Sequence, residues 1–177
     1  PLYNKIHVIG NPPFGRQSSL AIQFIKKSAI FCDTISFILP KSFKKESLKD
    51  KVALNFHCIY QCDLPNNSFL LNNMEYGVPC VFQIWEKRDI NRKKLPILVE
   101  NGFKFVKKED TPDISFRRVG VNAGDVSYEI ENKSVQSHYF IKFDDFTKDI
   151  YDSINGLTFI DSCNTVGPKS ISKQELI

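Results

Sequence analysis

Ile6-His7-Val8-Ile9-Gly10-Asn11-Pro12-Pro13-Phe14-Gly15 is the stretch on which the fold turns. The short apolar, β-branched run at its start predicts a buried strand. Asn11-Pro12-Pro13-Phe14 then forms the turn before a helix-like segment. In open α/β sheets, ligands bind in the crevice outside the carboxyl ends of the strands, which is where this turn falls. Two consecutive prolines fix φ and remove two backbone donors, so the turn is stiff and presents carbonyls. Asn11 precedes a proline and is biased to extended geometry. An amide oxygen, a rigid carbonyl and an aromatic face on one spot suit a planar heterocycle carrying an exocyclic amine.

After the turn, Leu20, Ala21, Phe24, Ile25 and Ala29 recur at helical spacing, with Ser18 or Ser19 placed to cap the helix. Thr34–Leu39 reads as a second strand stopped by Pro40, and Lys44–Val52 as a short charged helical piece. Phe56–Leu64 predicts a third strand, and 65–76, rich in Asn, a loop. Val78–Trp85 predicts a fourth strand antiparallel to the third. The charged run 86–94 reads as a solvated linker, with a phosphate-contacting loop as the alternative. Beyond it, short β-like runs at 103–106, 114–119 and 137–143 precede a helix over 146–154 and a terminal one from Ser172. The expected organisation is an α/β unit over 1–88 and a β-rich extension over 89–177.

Composition is that of an ordinary globular chain, with 42% hydrophobic and 25% charged residues among 177, which argues against disorder. The net charge of +4 permits a nucleic-acid partner without demanding one. Five cysteines, odd in number and irregularly spaced, predict reduced thiols and a cytoplasmic or other reducing intracellular compartment. No nearby Cys/His pair completes a zinc site with Cys58-x-x-x-Cys62, and its strand context argues for core, so no metal is expected. No apolar run reaches membrane-spanning length, and no membrane partner is expected.

A Pro-Pro pair alone marks only a stiff loop. The whole string after a β-like run and before Gly15 resembles the Asn-Pro-Pro-Phe/Tyr signature of S-adenosylmethionine-dependent amino methyltransferases, in particular the adenine-N6 branch acting on DNA. Phe37–Phe43 is similar to that family's next strand and loop, and Val78–Lys87 to its late hairpin strand. The resemblance covers residues 6–87 well and the remainder loosely. It implies a partial Rossmann-like sheet, the C-terminal half of a methyltransferase domain, followed by a β-rich recognition segment. It implies catalytic roles for Asn11, Pro12, Pro13 and Phe14: the Asn11 side-chain oxygen and the Pro12 carbonyl accept the two protons of the amine, and Phe14 stacks on the base. Gly10 and Asn11 would face the cofactor, S-adenosyl-L-methionine. Phe14, Lys41, Arg117, Arg118 and Asn122 are the candidate nucleic-acid contacts. Arg117 and Arg118 are adjacent on a strand and point to opposite faces, so at most one faces the nucleic acid.

The sequence departs from the family in one respect. The glycine-rich cofactor loop and the acidic residue for the ribose normally lie upstream of the turn, and ten residues precede Asn11. Gly120–Gly124 is a poor substitute. The expectation is a catalytic-and-recognition half, completed by a further N-terminal segment or a second polypeptide. The leading expectation is DNA adenine methylation, as a restriction–modification partner or a solitary modifier. An RNA amino methyltransferase and a catalytically silent nucleic-acid-binding or specificity subunit are the alternatives.

Overall fold

The computed structural model describes residues 4–177. These are mixed α and β, with three sheets and two compact units. The first unit runs to Leu95 and takes in Asn164–Val166; the second comprises Pro96–Cys163 and Gly167–Ile177. The boundary lies a few residues beyond the expected position at 88. The cause is local: Arg88 N–H donates to Asn55 O and Arg92 N–H to Leu54 O, both at 2.7 Å, so the charged run stays fastened to the first unit.

The first unit is built on four strands in the order β1-β2-β6-β3. β1 (His7–Gly10) pairs parallel with β2 (Thr34–Pro40), and α1 (Ser19–Ser28) connects them. β6 (Cys80–Lys87) runs antiparallel to both β2 and β3 (Phe56–Asp63). Three strands therefore share a direction, and their carboxyl ends leave the sheet at one edge. Between β2 and β3 lie a 3-10 turn at Lys41–Lys44 and the short α2 (Glu46–Lys49). The β2 alternation places Ile35, Phe37 and Leu39 on the buried face, opposite Trp85, Gln83 and Val81 of β6. Ala21 and Ile25 of α1 close this core.

Two expectations on this segment are corrected. Ser18 occupies the N-cap of α1 in a left-handed conformation (φ 62°), and no side chain caps the helix. Leu20 and Phe24 face outward, while the inner stripe is Ala21, Ile25 and Ser28.

Gln83 is fully buried in the middle of this apolar face. Its Nε2 donates to Phe43 O (3.0 Å) and Gln61 Oε1 (2.8 Å), and its Oε1 accepts from Trp85 Nε1 (3.0 Å). Every polar atom of the amide is paired, which is the condition under which a buried amide is tolerated. Arg92 lies over the same Trp85 ring at 5.2 Å and donates to the carbonyls of Phe56, Lys49 and Val52.

The predicted loop over 65–76 is instead a hairpin, β4 (Phe69–Leu71) and β5 (Met74–Tyr76). Asn72 and Asn73 both have positive φ (53° and 61°), the conformation required by the tight turns that match strand twist. The hairpin belongs to the β3–β6 connection.

The second unit has its own antiparallel sheet, ordered β7-β10-β8-β9, from Phe103–Val106, His138–Phe143, Ile114–Arg117 and Val126–Ser127. Phe116, Ile114 and Ile141 centre a separate core, against which Tyr151 and Ile154 of α3 (Lys148–Asn155) pack. Thr147 caps α3, and Ser172 with Glu175 forms a capping box on α4 (Lys173–Leu176).

Cys32 and Cys80 are buried, and burial pushes the Cys80 thiol up to about 11. No helix is long and apolar enough to cross a membrane among the described residues.

Gln83→Leu leaves Trp85 Nε1–H and Phe43 O unpaired in the core. At about 1–3 kcal/mol for each orphaned group, the expected loss is about 3 kcal/mol, read as a lower urea midpoint.

Candidate functional site

The turn after β1 is fixed at both ends. Upstream, Gly10 lies opposite Phe37 in the parallel ladder. Downstream, Phe14 O accepts from Leu20 N (3.1 Å) and Ala21 N (3.3 Å), tying the turn to the first turn of α1. Gly15 sits at φ 70°, and a Cβ there would lie 2.7 Å from Leu20 Cγ and 3.0 Å from Leu20 N. Only glycine fits this position. Gln17 and Ser18 follow at φ 52° and 62°, uncommon for non-glycine residues. Pro12 is buried, Phe14 half-buried, and Asn11 and Pro13 exposed.

Two cavities flank this turn. One, of about 320 Å³, lies between Asn11–Phe14 and the β4–β5 hairpin, with Phe69, Leu70, Leu71, Tyr76 and Val78 as its other walls. The second, of about 510 Å³, lies on the β1 and α1 side and is walled by Val8, Ile9, Gly10, Phe24, Lys27 and Phe31, among others. Asn11, Pro12 and Pro13 line both. The turn is thus a partition between two clefts, each of a size usual for small-molecule sites.

The first cavity is lined by free acceptors on the turn. Among the described residues, neither the Asn11 side chain nor the Pro12 carbonyl oxygen has a hydrogen-bond partner. The hairpin that faces them is apolar and exposed: Leu70 is 72% and Tyr76 51% accessible. Apolar side chains held in water beside a cleft mark a surface that receives something. Lys41 stands at the same sheet edge, its N–H bonded to Pro79 O at 2.9 Å, one residue from Val78 in the cavity wall.

The second cavity opens along the outer, unpaired edge of β1. Among the described residues β1 pairs only with β2, and Ile9 (78% accessible) and Phe31 (57%) are exposed beside it. Its walls carry one lysine and no carboxylate. Among the described residues no cluster of three or more His, Cys, Asp or Glu is placed to hold a metal ion.

The structure brings Gly10, Asn11, Pro12, Pro13, Phe14 and Lys41 into the first unit, and Arg117, Arg118 and Asn122 into the second. The two arginines are engaged within their own unit. Arg117 Nε donates to Val119 O (3.3 Å); Arg118 Nη2 donates to Gln136 O (2.8 Å), and its guanidinium lies over the Tyr139 ring. Asn122 is exposed in a turn. His138 lies against Ser134 and Ser137, and burial pulls its pKa down, which keeps it neutral at pH 7. The hairpin residues Phe69, Leu71 and Tyr76 escape the sequence reading. The Asn72-Asn73 pair between apolar residues was the signal for them.

No protein-family model matches the chain, and no curated protein or solved structure matches it.

Gly15→Ala is expected to lower stability by about 1–3 kcal/mol through the strained φ and the Leu20 clash. Gly10→Ala, whose Cβ would sit 3.6 Å from Phe37 in ordinary contact, is expected to change it by less than about 1 kcal/mol. Urea unfolding of the two variants checks the contrast.

Proposed function

We propose that this chain presents an adenine base of DNA for methylation at its exocyclic N6 amine, with S-adenosyl-L-methionine as methyl donor. The observation that carries the reading is the pair of unengaged acceptors, Asn11 Oδ1 and Pro12 O, on a rigid turn at the lip of an apolar, aromatic-walled cavity. The order of elements in the first unit supports it: strand, helix, strand, short helix and closing antiparallel pair, as the resemblance of residues 6–87 implies.

The chemistry follows from the amine. Its lone pair is delocalised into the ring, which makes it a poor nucleophile. Two acceptors on its two protons favour a tetrahedral nitrogen and localise that lone pair. The interaction is stronger in the transition state than in the flat ground state, which is what accelerates a step. Phe14 and the hairpin wall hold the ring in plane, and fixing the amine in one orientation supplies the proximity contribution. A base in a duplex must leave the stack to reach this cavity, at a cost of a few kcal/mol. Aromatic stacking at about 1–3 kcal/mol offsets part of it.

The cofactor supplies an electrophilic methyl group. The cleft beyond Gly10 and Asn11 has neither a carboxylate for ribose hydroxyls nor a glycine-rich turn, so these residues do not hold the cofactor alone. A further polypeptide segment or a second chain completes it. The open β1 edge, with Ile9 and Phe31 exposed beside the cleft, offers that piece a place to pair. The same lack of cofactor groups favours one second reading, a catalytically silent nucleic-acid-binding subunit. In either reading Asn122, exposed in a turn, is a candidate recognition group of the second unit beside the two arginines.

Calorimetry of this chain with S-adenosyl-L-methionine is expected to show no binding tighter than about 1 mM; micromolar binding would overturn the incomplete-cleft argument. Transfer of labelled methyl to adenine by the product of the complete reading frame decides the rest. Asn11→Ala is expected to reduce kcat about 10²–10³-fold, the usual loss for one transition-state hydrogen bond. Full activity in that variant rules out the mechanism, and methylation of RNA but not DNA reassigns the substrate.

A further inference from the structure

The formal charge of +4 is unevenly distributed. The first unit carries fourteen Lys and Arg against seven Asp and Glu, and the second carries ten against thirteen. A polyphosphate strand is therefore attracted by the first unit and repelled, on balance, by the second.

Several first-unit cations are already neutralised or bound. Lys44 pairs with Asp63 (3.1 Å), Lys49 with Glu46 (2.8 Å) and Arg88 with Glu86 (3.2 Å). Arg92 is consumed by three backbone carbonyls. Among the described residues Arg16 and Lys41 have no carboxylate partner, and both lie at the carboxyl-end edge where the base cavity opens. Arg16 follows Phe14 by two residues, and Lys41 is bonded through its backbone to Pro79, next to the cavity residue Val78. A nucleotide placed in that cavity carries its two phosphodiesters to the mouth, because the sugar and backbone cannot enter with the base.

Resting on the reading of Asn11–Phe14 as the base-presenting turn, we propose that Arg16 and Lys41 form the phosphate-binding site for the nucleotide entering the cavity. DNA backbone contact is then confined to the first unit, and the second unit adds no counter-charge. Arg117 and Arg118 keep their charge, but each is tied by a backbone carbonyl within a unit whose net charge is negative.

The test is fluorescence anisotropy of the chain with a labelled duplex of roughly 16 base pairs containing one A·A mismatch, since a mismatched adenine is easiest to extrude. Salt is varied from roughly 50 to 200 mM. Arg16→Ala and Lys41→Ala are each expected to reduce the slope of log K against log salt by about 0.9 and to weaken binding about eightfold near 0.1 M salt. Lys104→Ala and Lys148→Ala in the second unit are expected to leave the slope unchanged. Circular dichroism confirms folding, and Arg16→Gln and Lys41→Gln stand in for an alanine variant that unfolds. Unchanged slopes at Arg16 and Lys41, slopes lowered at Lys104 or Lys148, or no salt-dependent binding by the unaltered chain would each overturn the proposal. Asn11→Ala removes no charge and is expected to keep the full slope. If methyl transfer is absent while the Arg16 and Lys41 slopes fall, the methyltransferase reading fails and the phosphate site stands.

Discussion

The buried amide of Gln83 is the constraint on which the first unit depends. It joins the 3-10 turn after β2, through Phe43 O, to β3 through Gln61 and to its own strand through Trp85. A β6 register slipped by one residue would carry this amide to the other face and expose Trp85 and Val81 with it. Hydrogen bonding and apolar burial thus select the same register. Antiparallel β6 must lie between two strands that run together, and their carboxyl ends must leave at a common edge. The turn after β1 emerges at that same edge.

Rigidity at the site comes from backbone chemistry rather than from side-chain packing. Pro12 and Pro13 fix two φ angles, and Phe14 O is held by two amides of α1. The chain must then reverse within four residues to start the helix, and Gly15, Gln17 and Ser18 absorb the reversal at positive φ. Strain of about 1–3 kcal/mol at such residues persists only where the surroundings enforce it. Here the enforcing contacts are the Phe14 carbonyl bonds and the burial of Ala21 and Ile25, which anchor α1 to β2.

The parts of this architecture legible in the sequence were those with strong periodicity. The alternation in Thr34–Leu39 gave β2, and the branched run at Ile6 gave β1. Antiparallel pairing of Phe56–Leu64 with Val78–Trp85 followed from a connection that carries no clear helical pattern, and both strands formed. The helix register was only partly legible, because Phe24 is apolar yet lies outside the core and leaves the smaller Ala21 and Ile25 to pack. The β4–β5 hairpin was hidden because three-residue strands carry no measurable period, and asparagines there read as loop when they serve as left-handed turn residues. Within the site, the turn was legible residue by residue. Its second wall, Phe69 and Tyr76, was not, since those residues lie more than fifty positions downstream and meet the turn only through sheet topology.

The position of the turn between two clefts bears on transfer against mere binding. A surface that only recognises a base needs one cavity, and its far side is free to be filled by core. Here Asn11, Pro12 and Pro13 wall a cleft on each side, and the far one lies along the outer edge of β1, which has no partner strand among the described residues, beside an exposed Phe31. Keeping Ile9 and Phe31 in water forgoes about 1.5–3 kcal/mol for each side chain that burial would supply. A group-transfer site needs two ligands brought into direct contact at one rigid element that orients both. A proline pair supplies such an element, because it has no amide hydrogens to compete for the acceptors on either side. On the proposed reading, the exposed apolar edge of β1 is the place for a segment that holds the second ligand to join the sheet.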